Sequence, residues 1–433
     1  MTKQLHFGIV SEPVPGHLNR LLTLGRVLRN RGHRVTIFGI ADLEAKITRE
    51  NLGFCAVGLS DFPKGAWEKD WLATIQKHGI DEMIATIRQH TREAEMLCRD
   101  VPVKVRELGI DTLLIDQLQM PARYIAETTG RPYVTVCCGP GLQRNSDYSF
   151  PPPFVPWEFS KSIFRRILNR IGFWIIEKVA SPRIKVSSKY AVRDGLKPYR
   201  KVDDVLSPFL QVSHLTPEMN FSLQESEASS VRYFGPLLDE QRAKTDFPWE
   251  KLNGKPLIYA SLGTLQTYRD DLFEMIARAC ESLNVQLVIT LGDWQNKREL
   301  PKLPGDPLVV GYAPQLEMLE KAALCITHCG MNTTMECAAK GVPMIGIPII
   351  HDQPAVAARI RFAKMGETVS LSKISVDLLR EKISKVLGNS EYSDRAKEVA
   401  SACAKYGGSQ AAAVEIEKIA HKFIESGVNP YGR

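Results

Sequence analysis

His328, Asn332 and Glu336 recur at four-residue spacing within His328-Cys329-Gly330-Met331-Asn332-Thr333-Thr334-Met335-Glu336. His328-Cys329-Gly330 closes an apolar run, and the rest has the composition of a helix opened by a capping Asn. Free N–H groups and the helix dipole at such an end favour an anion, phosphate above all. His328 adds a hydrogen-bond donor beside it. Glu336 lies one helical turn past Asn332 on the same face, where a carboxylate suits paired hydroxyls such as those of a ribose. An ordinary strand–helix turn with a solvent-facing Glu has the same composition, so the surroundings decide.

Those surroundings are apolar runs at 308–310, 324–327 and 343–350, continuous rather than alternating, which predict buried parallel strands. Each ends in a polar cluster: 312–315, 328–336 and 351–353. Ligands of open α/β sheets sit outside the carboxyl ends of the strands, so the three clusters are expected to line one crevice. A further strand at 256–260 ends in Ser261-Leu262-Gly263-Thr264, whose small and hydroxyl residues let backbone N–H groups approach a phosphate.

The first half of the chain supplies a second candidate group. A strand at 5–10, the loop 11–17, an amphipathic helix at 18–31 capped by Gly32 and a strand at 34–40 form a β–loop–α–β unit. His17 sits at the loop–helix junction, where it either caps the helix or, with its near-neutral pKa, serves as a general base. A strand at 112–115 ends in Asp116, which either caps the helix before Pro121 or orients an imidazole as in the His–Asp half of a triad. Another strand spans 134–138. No GxGxxG, Walker A or GxSxG motif occurs, so a nicotinamide site, an ATP site and a serine-hydrolase elbow are unsupported.

The stretch 308–354 resembles the donor-binding signature of the family 1 UDP-sugar glycosyltransferases. The matching residues are Ala313-Pro314-Gln315, Thr327-His328-Cys329-Gly330, Asn332, Glu336, Gly341-Val342-Pro343 and Asp352-Gln353, with Gly16-His17 matching the acceptor loop. Tyr312 and Met331 stand where plant members carry Trp, and the 315–328 segment is shorter, as in a bacterial-type or divergent member. The resemblance implies a GT-B fold: two Rossmann-like α/β domains facing across a cleft. It implies His17 as catalytic base with Asp116 behind it. His328, Gly330, Asn332, Thr333, Ser261, Gly263 and Thr264 would hold the diphosphate. Glu336 would take the ribose, Tyr312 the base with Ala313 and Gln315 nearby, and Asp352 and Gln353 the sugar. Uracil is the expected base and thymine, hence a dTDP-sugar, the alternative. The expected activity is inverting transfer, most readily of glucose, to a hydroxyl of a phenol, sterol, carotenoid or polyketide-like acceptor. A non-catalytic sugar-nucleotide binder and a GT-B epimerase are the rival classes. No Asp-x-Asp pair is present, and neither a metal nor a cofactor beyond the donor is expected.

The chain has 433 residues, 44% hydrophobic and 24% charged, enough for two domains. The expected division is an acceptor domain at 1–236, a linker at 237–255, a donor domain at 256–408 and a final helix at 409–433 returning to the first domain. Nine scattered cysteines without CxxC pairs, no leader pattern and no spanning run point to a cytoplasmic setting. The net charge of +7 is concentrated at 150–200, where eleven Lys/Arg face three acidic residues. No nucleic-acid module accompanies them. This basic, aromatic segment, helical at 159–180, reads either as an acceptor-side lid grazing an anionic membrane or as a packed helix with a solvated basic face.

Overall fold

The continuous apolar runs become strands covered on both faces: every residue of the strands His6–Val10, Thr112–Asp116, Tyr133–Cys137 and Leu257–Ser261 is buried, as parallel sheets require. The computed structural model describes residues 3–75, 80–145, 147–221, 230–239, 245–264, 269–292 and 302–432. The first half runs β1 (His6–Val10), α1 (Pro15–Asn30), β2 (Arg34–Gly39), α2 (Glu44–Arg49), β3 (Gly53–Ala56), α3 (Ala66–Ile75), α4 (Ile80–Glu107), β4 (Thr112–Asp116), α5 (Ala122–Thr129), β5 (Tyr133–Cys137), α6 (Ile163–Arg193), β6 (Gln211–Ser213), β7 (Val231–Tyr233). The second runs β8 (Leu257–Ser261), α7 (Asp270–Cys280), β9 (Gln286–Thr290), β10 (Leu308–Val310), α8 (Gln315–Lys321), β11 (Ala322–Thr327), α9 (Met331–Lys340), β12 (Met344–Gly346), α10 (Gln353–Phe362), β13 (Gly366–Thr368), α11 (Val376–Gly388), α12 (Ser390–Lys405), α13 (Gly408–Ser426).

Two all-parallel sheets result, one ordered β3-β2-β1-β4-β5-β6-β7 and the other β10-β9-β8-β11-β12-β13. Each has one point where the strand order reverses, between β1 and β4 and between β8 and β11. Connections leave such a pair in opposite directions, so a crevice opens at its carboxyl end. His17 follows β1 and Asp116 ends β4; Ser261 ends β8 and His328 follows β11. Both candidate groups therefore stand at switch points.

Several elements differ from their expected extents. Helix α1 starts at Pro15, whose fixed φ suits the first helical position, so His17 lies within its first turn. Helix α6 passes Pro182 and reaches Arg193, because Ile184, Ser187, Tyr190 and Ala191 continue its buried face; packing outweighs the local break. The run 343–350 keeps only three strand residues, between Pro343 and Pro348, which have no N–H to give a ladder. Gly366 does not cap α10: Lys364 takes the left-handed turn. Gly366 instead opens β13, where a Cβ would come within 1.8 Å of the Met344 carbonyl oxygen.

The segment joining the sheets is not uniformly solvated. Leu237 is buried in the first core, and Phe247, with Trp249 against it, packs on the second; residues 240–244 lie outside the described residues. Helix α13 places Ala412, Ala413, Ile416 and Ala420 in the core beneath β1 and α1. Glu417 there accepts from Arg31 at 2.6 and 2.8 Å and meets His33 at 3.0 Å.

Candidate active site

The left half of the site is an oriented imidazole. His17 Nδ1 lies 2.7 Å from Asp116 Oδ2, and Asp116 Oδ1 accepts the Leu118 N–H at 2.9 Å. In the neutral imidazole this contact places the proton on Nδ1 and leaves the lone pair on Nε2. The His17 side chain keeps about a fifth of its surface exposed, 21%. Burial lowers its pKa, but the charge and hydrogen bond of Asp116, with Glu12 and Asp352, outweigh burial and raise it to about 9. Asp116 caps no helix: α5 starts at Ala122 after Pro121.

A second carboxylate stands behind this pair. Glu12, in the same β1–α1 loop, is buried; burial and the Asp116 charge raise its pKa to about 7. Around it are His90, Glu93 and Arg183. Trp67 donates to Glu93 at 2.6 Å, and Arg183 donates to the Leu118 carbonyl at 3.1 Å. Among the described residues two groups combine metal-ligating types within 4.8 Å, His17–Asp116–Cys138 and Glu12–His90–Glu93. In both, protein donors already occupy carboxylate oxygens.

The right half centres on His328. Its ring is wedged between two glycines: a Cβ at Gly263 would lie 2.6 Å from the ring, and one at Gly330 2.3 Å from Nε2. Gly263 also has a φ of +77°, Gly292 packs against its carbonyl, and its N–H donates to Ser261 Oγ at 3.4 Å. The two glycines thus seat the imidazole rather than simply thinning a loop. Burial lowers the His328 pKa to about 4, so it is a neutral donor, not a cation. Its Nδ1 is buried without a partner among the described residues. Thr264, beyond Gly263, is exposed.

Helix α9 corrects one expectation and excludes one alternative. Gly330, not Asn332, is its N-cap, and no side chain caps it. Asn332 instead bridges the two halves: its Nδ2 donates to the Gly16 carbonyl at 2.8 Å and its Oδ1 accepts from Arg20 at 2.6 Å. Glu336 does not face solvent. It is fully buried, with Oε1 accepting from Arg20 at 2.7 Å and Oε2 from Gln315 Nε2 at 2.6 Å. Gln315 also meets Thr333 Oγ1 at 3.4 Å and Tyr259 at 3.3 Å. Ala313 is buried, and Tyr312, half-buried, follows β10.

The third cluster closes the crevice. Gln353 Oε1 accepts from the N–H groups of Ile349 and Ile350 at 2.8 and 2.9 Å, which fixes the loop. Asp352 approaches the first domain so closely that a Cβ on Gly139 would lie 3.0 Å from its Oδ2. Burial raises its pKa while His17 and His351 oppose the rise. His17, Asp116, Asn332 and Asp352 thus meet at one junction. Arg20 is the residue that motif reading passed over. It stands three positions after His17, on the same helical face, as a charged residue inside the apolar stripe Leu21, Leu24, Val27, and that incongruity was its only signal.

Two facing Rossmann-like units with a His–Asp pair on one and a phosphate-suited helix start on the other define a GT-B sugar-nucleotide transferase. Residues 274–419 match the family model described as Erythromycin biosynthesis protein CIII-like, C-terminal domain. The chain is 31% identical over 418 residues to a zeaxanthin glucosyltransferase of Pantoea ananas, covering 96% of both chains. It is 28% identical to a second zeaxanthin glucosyltransferase, of Pseudescherichia vulneris, over 95% of this chain and 97% of that one. Among solved structures, the glycosyltransferase of kitacinnamycin superposes with a TM-score of 0.75 at 21% identity, over 96% of this chain and 99% of that one. The chain belongs to the family 1 UDP-sugar-dependent glycosyltransferases. It is an enzyme, a UDP-glycosyltransferase.

Proposed function

We propose that this enzyme transfers glucose from UDP-glucose to a hydroxyl of a hydrophobic, carotenoid-like acceptor, with inversion. The observation that carries the proposal is the His17–Asp116 hydrogen bond at a junction that also holds Asp352 and Asn332 of the other domain. His17 Nε2 takes the acceptor proton as its oxygen attacks the anomeric carbon opposite the diphosphate. Asp116 holds the tautomer and stabilises the imidazolium. An α-linked donor then gives a β-glycoside.

The leaving UDP gains charge near the start of α9. His328, with its unpartnered Nδ1, and the N–H groups from Gly330 to Thr333 offer donors there, as do Ser261, Gly263 and Thr264 across the switch point. Tyr312 stacks on the base, beside Ala313 and Gln315. Glu336 receives the ribose hydroxyls while sharing its oxygens with Arg20 and Gln315. Asp352 and the amide nitrogen of Gln353 hold the sugar. The carotenoid-like acceptor and the glucosyl group are supported by the two zeaxanthin glucosyltransferases.

The test supplies UDP-glucose or dTDP-glucose with zeaxanthin, a sterol, a macrolide or a simple phenol. The expected result is UDP release and a β-hexosyl product, fastest with UDP-glucose and a hydrophobic alcohol. Nucleotide binding without transfer to any acceptor would favour a sugar-nucleotide binder. Conversion of UDP-glucose to another UDP-sugar without acceptor would favour an epimerase.

A further inference from the structure

Helix α6 carries its largest apolar side chains on the outside. Ile163 is 75% exposed, Phe164 72% and Trp174 60%, and Ile167, Ile171 and Ile175 are each half exposed or more. Their spacing places all six on one helical face. The opposite face is pinned. Asn169, fully buried, accepts from Trp157 Nε1 at 2.7 Å and donates to the Tyr148 carbonyl at 2.8 Å, and Phe173 and Ala180 are buried beside it. The Pro152 ring packs where Gly172 has no side chain. The helix is thus held in a rotation that keeps six apolar residues turned outward.

The charges around this face have one sign. Residues 159–176 contain four cations, Lys161, Arg165, Arg166 and Arg170, and no carboxylate. Lys161, Arg170 and Lys178 are exposed at the margins; Lys178 lies 5.4 Å from the Trp174 ring centre. Arg165 lies over Trp157 and Arg166 donates to the Asp147 carbonyl. The neighbouring acids are engaged: Asp147 with Asn145 and Ser149, Glu158 with Arg361, and Glu177 with the Val202 N–H. Among the described residues no helix is long and apolar enough to cross a membrane.

We infer that the first half of α6 lies in the plane of an anionic bilayer surface, its Ile, Phe and Trp side chains entering the acyl boundary while Lys161, Arg170 and Lys178 meet head-group phosphates. Apolar area with an aromatic anchor gives the affinity, and the basic margin gives the preference for anionic lipid. The same helix continues to Arg183 beside Glu12 and Leu118, roughly 14 Å of axis past Trp174. A bilayer-dissolved acceptor would thereby be delivered close to His17. The surface contact itself does not depend on the acceptor or on the transfer reaction.

The test is flotation of the full chain with phosphatidylglycerol/phosphatidylcholine vesicles and with phosphatidylcholine alone. Binding is expected to the first, weakening with salt, with quenching by brominated acyl chains that a Trp174→Phe variant loses. Ile167→Asp/Ile171→Asp is expected to lower partitioning by about tenfold or more. Lys161→Glu/Arg170→Glu/Lys178→Glu is expected to abolish the preference for anionic lipid. Both sets keep turnover of a water-soluble phenol, and His17→Ala keeps flotation, so failure of the surface contact and failure of the transfer reading are separable. No flotation, flotation undiminished in Ile167→Asp/Ile171→Asp, or a concentration-dependent dimer dissolved by those substitutions would overturn the inference, the last by showing that a second copy covers the face.

Discussion

Arg20 of α1 and Glu336 of α9 form a buried ion pair at 2.7 Å that joins the two domains. Arg20 also donates to Asn332 and to the Leu237 carbonyl, and Glu336 also accepts from Gln315. The residue proposed for the ribose is therefore tied to the helix that carries the proposed base. Anything that binds at Glu336 bears on the seating of His17, three residues before Arg20.

That pairing has an energetic signature. Removing one partner of a buried pair leaves an uncompensated charge, at a cost of about 3–5 kcal/mol. Arg20→Ala is expected to destabilise by about that amount in urea unfolding, with Arg20→Met/Glu336→Met recovering most of the loss. A neutral Arg20→Ala would show that the pair does not hold the domains together.

The pH dependence follows from His17. Its pKa is raised from 6.5 to about 9, so the neutral, base-competent form grows as pH rises. The kcat/KM profile is expected to climb through the alkaline range. Stability has the opposite trend: the contribution of protonated His17 beside Asp116 is complete below pH 6.5 and is lost as pH passes about 9. Asp116→Asn removes the charge that raises the pKa. It is expected to move the kinetic limb to lower pH while lowering its plateau, read from rate profiles at fixed ionic strength.

The seat of His328 can be tested without touching the imidazole. A methyl at Gly330 would meet Nε2 at 2.3 Å, so Gly330→Ala must displace the ring. Loss of one such donor costs about 10²–10³ in kcat. Gly330→Ala and His328→Ala should each approach that loss, and the double variant should be no worse than either alone, because both remove the same interaction. Additive losses would mean that Gly330 acts independently of the ring.

The sequence carried the parallel strands and the strand-end positions of His17, Asp116, Ser261 and His328, because burial on both faces and polar strand ends are local properties; the strand order that makes those ends switch points is a long-range property and was not legible. It could not carry the partners of Glu336. Asn332 has the composition of a cap, but the cap is Gly330, since Asn332 is drawn 316 residues back along the chain to the Gly16 carbonyl. Gln353 likewise serves its own loop before any ligand. The rotation of α6 was also illegible: its apolar residues lie on two faces, and long-range contacts, the hydrogen bonds of buried Asn169 and the Pro152 ring against Gly172, decide which face is turned outward.

The most direct measurement compares His17→Ala with the unaltered enzyme, using UDP-glucose and a hydroxyl acceptor, with UDP affinity measured by calorimetry. A positioned base contributes about 10²–10⁴ in rate. Turnover is therefore predicted to fall by about that factor while UDP binding is nearly unchanged. Normal turnover in His17→Ala would contradict the assignment of His17 as the base, and with it the proposed transfer mechanism.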